Sequence, residues 1–157
     1  MVNPESNAAV SHLAILDEAG IHSLVHRFYA RVRADDTLGP IFAQAIGDAW
    51  DPHLAKMCDF WASIALGAKR YKGNVQLAHL PLKGIEPEHF SRWLYLFLDT
   101  VEHLFEPAAA LKLMEPALRI AESLQLGRFG WQYQVPPEQK ALLERIAPRR
   151  GERGAAH

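Results

Sequence analysis

The sequence lacks most features of a membrane protein or of a metal-cluster protein. Cys58 is its single cysteine, which excludes an intrachain disulfide and a thiolate cluster for zinc or iron–sulfur. If a metal is bound, nitrogen must hold it. No stretch contains the roughly eighteen consecutive apolar residues of a membrane span, and no basic segment at the N-terminus leads into an apolar run. We therefore expect no membrane association and, by default, a cytoplasmic location.

An excess of charge of one sign is also missing. The chain has 17 Lys and Arg residues against 18 Asp and Glu residues, a net charge of −1, and no continuous basic stripe apart from Arg149, Arg150 and Arg153. This balance argues against a nucleic-acid partner. With 49% hydrophobic and 22% charged residues, the 157-residue chain is expected to form one domain with a core around a buried ligand.

What the sequence does have is apolar residues at helical spacing. The first stripe occupies residues 21, 24, 25, 28 and 32, and the clearest one follows Pro87 and reaches residue 105. No segment alternates apolar and polar residues as a strand would, so the predicted fold class is all-α. The predicted helices run from residue 21 towards Gly39, over about 51–66, from Pro87, over about 108–126, and over 138–147.

Prolines and one acidic residue predict where these helices begin and end. Gly39 followed by Pro40 predicts the close of the first helix, and Asp51 followed by Pro52 predicts an N-cap and first position for the second. Pro116 predicts a kink or a late start for the fourth helix, because proline cannot donate the helical backbone hydrogen bond.

The connector between Gly67 and Gly84 loses helical periodicity, and long connectors in compact domains often serve a site. Of the eight histidines in the chain, two stand out by position. His53 lies on the border of the apolar stripe of the second predicted helix, and His79 lies in the connector. A slot between helices could receive both side chains.

Four segments resemble, in their order and spacing, the signatures of group III truncated haemoglobins. They are FYARVRADDTLGPIF from residue 28, HLAKMCDFW from residue 53, LAHLPL from residue 77 and FSRWLYLF from residue 90. The resemblance covers about residues 21–130 and implies a truncated globin fold, a two-over-two helical sandwich around haem b. It leaves residues 1–20 as an N-terminal extension and residues 131–157 as a partly helical C-terminal extension.

The resemblance implies a role for each matching residue of the site. His79 matches the proximal histidine, whose imidazole nitrogen ligates the haem iron from one side. Tyr29 and Trp93 match the distal residues whose O–H and N–H donate hydrogen bonds to bound O2. His53 matches the distal position on the second helix that gates ligand entry in many globins, and whether it points inward is left open.

The resemblance also implies which residues line the cofactor. The aromatic residues at these positions are expected to be buried whether they line the haem or pack in the core, so the two interpretations make the same prediction. Lys56 would reach a haem propionate, with Arg70, Tyr71 and Lys72 as weaker alternatives. The predicted wall residues are Phe28, Phe42, Met57, Phe60 and Trp61.

The function implied is binding of O2, CO, NO or peroxide at a five-coordinate haem iron. Two distal donors in a dry pocket would each contribute roughly 1–3 kcal/mol and would slow O2 release. That property suits the handling of reactive oxygen or nitrogen species better than bulk O2 transport. Nitric oxide dioxygenation would need a separate reductase, because the chain carries neither a flavin domain nor a dinucleotide motif.

Three alternatives stay open at this point. The first is a peroxidase-like haem enzyme, which would be favoured by a carboxylate or carbonyl on the second nitrogen of His79. The second is a non-haem metal site at His22 and His26, which are one helical turn apart but lack an evident third ligand. The third is a helical interaction module without a cofactor.

Overall fold

The computed structural model describes residues 13–75, 79 and 82–146. Within these ranges it contains α-helices and one 3₁₀ segment but no β-strand, so the predicted all-α class is confirmed. No helix there is long and apolar enough to cross a membrane. The helices are α1 (Glu18–Ala34), α2 (Gly39–Ile46), α3 (Trp50–Leu66), α4 (Pro87–Leu104), α5 (Pro107–Phe129) and α6 (Pro137–Ala141), followed by the 3₁₀ segment Leu142–Arg145.

The core lies where α4 packs against α1 and α5, and α3 adds a further face against α1. The α4 stripe is the clearest part of it. Leu94, Phe97, Leu98 and Val101 are 0% exposed and stand at the spacing of one helical face. The stripe predicted for α1 is buried as well, and that helix begins at Glu18 because the Asp17 side chain accepts a hydrogen bond from the backbone N–H of Gly20 at 2.8 Å.

The prediction at Gly39 and Pro40 is only half correct. The chain does leave α1 before them, but the two residues begin α2 and do not form a loop. Proline fits the first turn of a helix, where no intrahelical partner is needed for an N–H. Gly39 is required there because a Cβ would lie 2.8 Å from the carbonyl oxygen of Arg33.

Asp51 is not the N-cap of α3. Ala49 is in that position, and the helix begins at Trp50, whose ring is buried and lies under the Arg33 guanidinium at 4.5 Å. No side chain caps this helix N-terminus, and the Trp50 ring packs its first residue into the core. Asp51 is exposed in the first turn, where a negative charge is favourable next to the helix N-terminus.

Pro116 does not delay the start of α5. The helix begins at Pro107 and continues through Pro116, which is buried. Pro116 cannot donate to the carbonyl of Lys112, and that bond is lost from the helix. The packing of Leu113, Met114 and Ala117 around it, all at most 1% exposed, keeps the helix continuous.

The appended C-terminal helix is shorter than predicted. It spans Pro137–Ala141 and continues as a 3₁₀ segment, while residues beyond 146 lie outside the described ranges. Its anchor is Gln139, whose Nε2 donates to Ser91 Oγ at 2.9 Å on α4. The buried side chain of Gln125 on α5 donates to Gln139 Oε1 at 2.7 Å. The segment is therefore fixed to both helices by polar groups with partners.

The turn between α1 and α2 is tied to α4 through Asp35. Its carboxylate accepts the backbone N–H groups of Thr37 and Leu38 at 3.1 and 2.9 Å and the Nε–H of Arg92 at 2.8 Å. Burial raises the pKa of Asp35, but the bonds from Arg92 and the backbone outweigh it, so the pKa lies below its usual value. The ionised carboxylate thus stabilises the fold.

We predict that Asp35→Asn lowers the free energy of unfolding at pH 7 by about 1.5–3 kcal/mol, because bonds to the charged group are weakened. The contribution is full above the unfolded pKa of about 4 and is lost as pH falls through the lower folded pKa. Urea unfolding from pH 7 to pH 3 should therefore show the gap between wild type and variant closing. Asp36→Asn, an exposed neighbour, is the control. A gap independent of pH would contradict this account.

Candidate functional site

Tyr29 is the centre of a group of rings between α1, α2, α3 and α4. It is 4% exposed, and burial raises the pKa of its phenol well above the usual range, so the O–H keeps its proton. Its ring centroid lies 5.0 Å from Phe28, 6.0 Å from Phe42, 6.0 Å from Trp50 and 5.1 Å from His53. These residues are called the Tyr29 cluster below.

Trp93 joins the cluster through Phe28, with ring centroids 5.0 Å apart in an edge-to-face contact. It also stacks on Phe97 at 5.1 Å, and Phe97 stacks on Trp61 at 4.9 Å. Tyr29 and Trp93, predicted from separate segments as a functional pair, thus contact the same phenylalanine from α1 and α4. Trp93 is only half-buried, so part of its side chain stays accessible to solvent.

His53 contributes a polar atom to these rings. Its Nε2 is buried and has no hydrogen-bond partner among the described residues. Such a buried unpaired group costs about 1–3 kcal/mol and calls for an explanation. Burial lowers the pKa of His53, and the charges of Lys56 and His79 lower it further, so the ring is neutral at pH 7.

Of the two ring nitrogens of His79, Nδ1 makes a hydrogen bond to a described residue and Nε2 does not. Its Nδ1 lies 2.8 Å from the carbonyl oxygen of Val75. A carbonyl can only accept, so Nδ1 carries a proton and donates it. In the neutral ring, Nε2 then carries a lone pair, and it has no partner among the described residues. This is the arrangement in which a histidine is held ready to ligate a metal, and the acceptor is a carbonyl and not a carboxylate.

The face of α3 that carries His53 also carries the other residues predicted from that helix. Lys56, Met57 and Phe60 follow at helical spacing, with Lys56 exposed and Met57 and Phe60 half-buried. Phe60 meets Tyr71 of the connector at 5.0 Å, edge to face. Lys56 is placed at the solvent edge of this face, with its charge acting on His53.

Arg70 has a different role from the propionate contact considered for it. Its guanidinium donates to both carboxylate oxygens of Glu18, each at 2.8 Å, and to Asp59 at 3.1 Å. These contacts join the start of the connector to α1 and α3. Arg70 is thus occupied by two carboxylates.

His22 and His26 do not build a metal site with other residues. Both are exposed, their rings stack at 3.9 Å, and His26 Nδ1 lies 2.9 Å from the carbonyl oxygen of His22. Across the part of the chain that the structure describes, no group of three or more His, Cys, Asp or Glu side chains is arranged to hold a metal ion.

Two residues of the site were missed from sequence. Trp50 contacts both Tyr29 and His53, at 6.0 and 5.7 Å, and its position three residues before His53 on the helix was an available signal. Arg128, at the end of α5, donates to the backbone carbonyl of His79 at 3.3 Å and to that of Leu82. No local sequence pattern predicts the contact between Arg128 and His79, which are 49 positions apart in the chain.

No family model matches the chain. The group 3 truncated hemoglobin ctb of Campylobacter jejuni subsp. jejuni serotype O:2 is 34% identical over 113 residues, 70% of this chain and 89% of that protein. The crystal structure of a group III truncated hemoglobin from Campylobacter jejuni matches with a TM-score of 0.70 at 31% identity, over 78% of this chain and 97% of that one.

The chain belongs to the group III truncated haemoglobins. The predicted truncated globin fold is thereby confirmed, and the family implies binding of a small gaseous ligand through haem. The residues present fit a haem on three observations of this structure. The Nε2 of His79 and the buried Nε2 of His53 both lack a hydrogen-bond partner among the described residues, and apolar rings lie between α1, α3 and α4.

The tautomer of His79 is directly testable without any cofactor. We predict that ¹⁵N-histidine spectra of the apoprotein at pH 7.5 show the neutral His79 ring protonated at Nδ1 and unprotonated at Nε2, because Nδ1–H donates a hydrogen bond to the Val75 carbonyl. His79→Gln assigns the resonance by its loss, and His26 serves as an exposed reference. A ring protonated mainly at Nε2 would contradict the assigned geometry.

Proposed function

We propose that this protein binds one haem b through His79 and holds O2 or another small ligand on the side of Tyr29 and Trp93. The observation that carries the proposal is the hydrogen bond from His79 Nδ1 to the Val75 carbonyl, which leaves the lone pair of Nε2 available to a metal ion. Haem, when bound, supplies reversible coordination of a diatomic ligand and one-electron redox chemistry. A neutral imidazole suits iron as a ligand, and Nε2 is neutral in this tautomer.

Tyr29 and Trp93 orient and retain the ligand by hydrogen bonding. The phenol of Tyr29 is protonated and buried, so its O–H donates in a site of low dielectric, where such bonds are strong. The indole N–H of Trp93 is a donor only, and its ring is fixed by Phe28 and Phe97. Preorganised donors of this kind favour a ligand that carries negative charge.

His53 has the role of a polar gate. Its buried Nε2 has no partner among the described residues, and its ring packs edge to face on Tyr29 at 5.1 Å. A neutral imidazole can donate to or accept from a ligand or a water molecule at this point. Lys56, one turn further and exposed, would hold a propionate, while Phe28, Phe42, Met57 and Phe60 would exclude water.

Slow ligand release favours chemistry on reactive oxygen or nitrogen species over O2 transport. For nitric oxide dioxygenation, electrons would come from a separate reductase. The Val75 carbonyl on His79 supports the peroxidase-like alternative, since it raises the basicity of the ring. Because a neutral carbonyl polarises the ring less than a carboxylate does, we place this activity second.

We predict that Tyr29→Phe in the haem-loaded protein raises the O2 dissociation rate by about 5- to 150-fold, equivalent to roughly 1–3 kcal/mol per lost donor. Trp93→Phe should act in the same direction. Stopped-flow displacement of O2 by CO measures both rates. Tyr95→Phe is the matched control, since Tyr95 lies on α4 but is 43% exposed. Rates equal to wild type in both pocket variants would refute the distal assignment.

A further inference from the structure

The backbone of His79 is held by a residue from the far end of α5. Arg128 is half-buried in the last turn of that helix, and its two terminal nitrogens donate to the carbonyls of His79, at 3.3 Å, and of Leu82. Leu82 N–H in turn donates to the same His79 carbonyl at 3.2 Å. The segment that carries His79 is therefore tied to α5 through two backbone carbonyls, those of His79 and Leu82.

We propose that Arg128 is a positioning residue, which fixes the direction of His79 Nε2 by holding the segment's backbone. The inference rests on the proposed function, because it concerns how the iron ligand is presented. His79 is already locked to Val75 through Nδ1, so its ring and its backbone move together. What sets the direction of Nε2 relative to the helices is then the tie between this segment and α5.

Arginine is suited to this task and lysine is not its equivalent. The planar guanidinium presents several N–H groups in a fixed fork, so one side chain can serve two carbonyls at once, whereas an ammonium is a single mobile point charge. Among the residues that the structure describes, no carboxylate pairs with Arg128. Its charge is directed at the two carbonyls, whose partial negative charge it complements.

The test uses Arg128→Met, which keeps the apolar stem, Arg128→Lys as the conservative variant, and Arg119→Met as an exposed control on the same helix. In the full-length apoprotein, we expect exchange of the Leu82 amide, which donates to the His79 carbonyl, to rise about tenfold in Arg128→Met while exchange in α1 and α4 stays unchanged. In the reduced haem-loaded protein, the iron–histidine stretching band should broaden or shift, and haem loss should accelerate about tenfold. The values for Arg128→Lys should lie between those of wild type and those of Arg128→Met.

The inference would be overturned if Arg128→Met matched wild type in amide exchange, in the iron–histidine stretching band and in the rate of haem loss. It would also be overturned if Arg119→Met changed these three measurements as much as Arg128→Met does. If Arg128→Met lost its helical content, Arg128→Lys would decide: a shifted stretching band in a folded protein supports positioning, and an unchanged band opposes it. Failure of wild type to take up haem would refute the proposed function itself. The two failures are therefore distinguishable.

Discussion

The hydrogen bond between His79 Nδ1 and the Val75 carbonyl is the interaction on which the account of this site depends. Because of this bond, Nδ1 serves as the hydrogen-bond donor to the backbone, and Nε2 is the nitrogen that can ligate a metal ion. Without it, no described contact would fix which ring nitrogen of His79 carries the proton. With this bond, the direction of Nε2 depends on the position of the backbone around His79. Residues that hold this backbone in place therefore contribute to the function.

The helices around the connector supply the rigidity that this arrangement needs. Phe97 is fully buried and stacks on both Trp93 and Trp61, so α4 is locked at the level of the Tyr29 cluster. Packing of this density tolerates little movement of a ring. Among these rings, His53 Nε2 is a buried nitrogen atom that has no hydrogen-bond partner within the described residues. A buried polar atom without a hydrogen-bond partner is unfavourable. Proteins tolerate such atoms mainly at functional sites, where a ligand can supply the missing partner.

The helices with strong apolar periodicity could be predicted from the sequence, since Leu94, Phe97, Leu98 and Val101 can share a buried face only on a helix. Boundaries were less predictable, because the same Gly39 and Pro40 that end one helix can begin another. The stripe predicted for α3 is only partly buried, with Ile64 38% exposed. Spacing alone does not show which neighbour covers a face.

The candidate site followed from the order of short segments resembling a known family, not from helical spacing. That resemblance pointed to Tyr29, Trp93, His53 and His79, and the structure brings Tyr29, His53 and Trp93 to one group of rings. It could not point to Arg128, whose contact with His79 depends on how α5 packs. Long-range contacts of this kind are consequences of the fold and leave no local signature in the chain.

The central claim is that His79 holds the haem iron, and one measurement tests it most directly. Absorption spectra of the reduced protein are recorded with and without CO, for wild type, for His79→Gly and for His26→Ala as an exposed control. The account predicts a CO-sensitive Soret band that His79→Gly weakens, that added imidazole restores, and that His26→Ala leaves unchanged. A band that survives His79→Gly intact without imidazole would contradict the account, because another residue would then hold the iron.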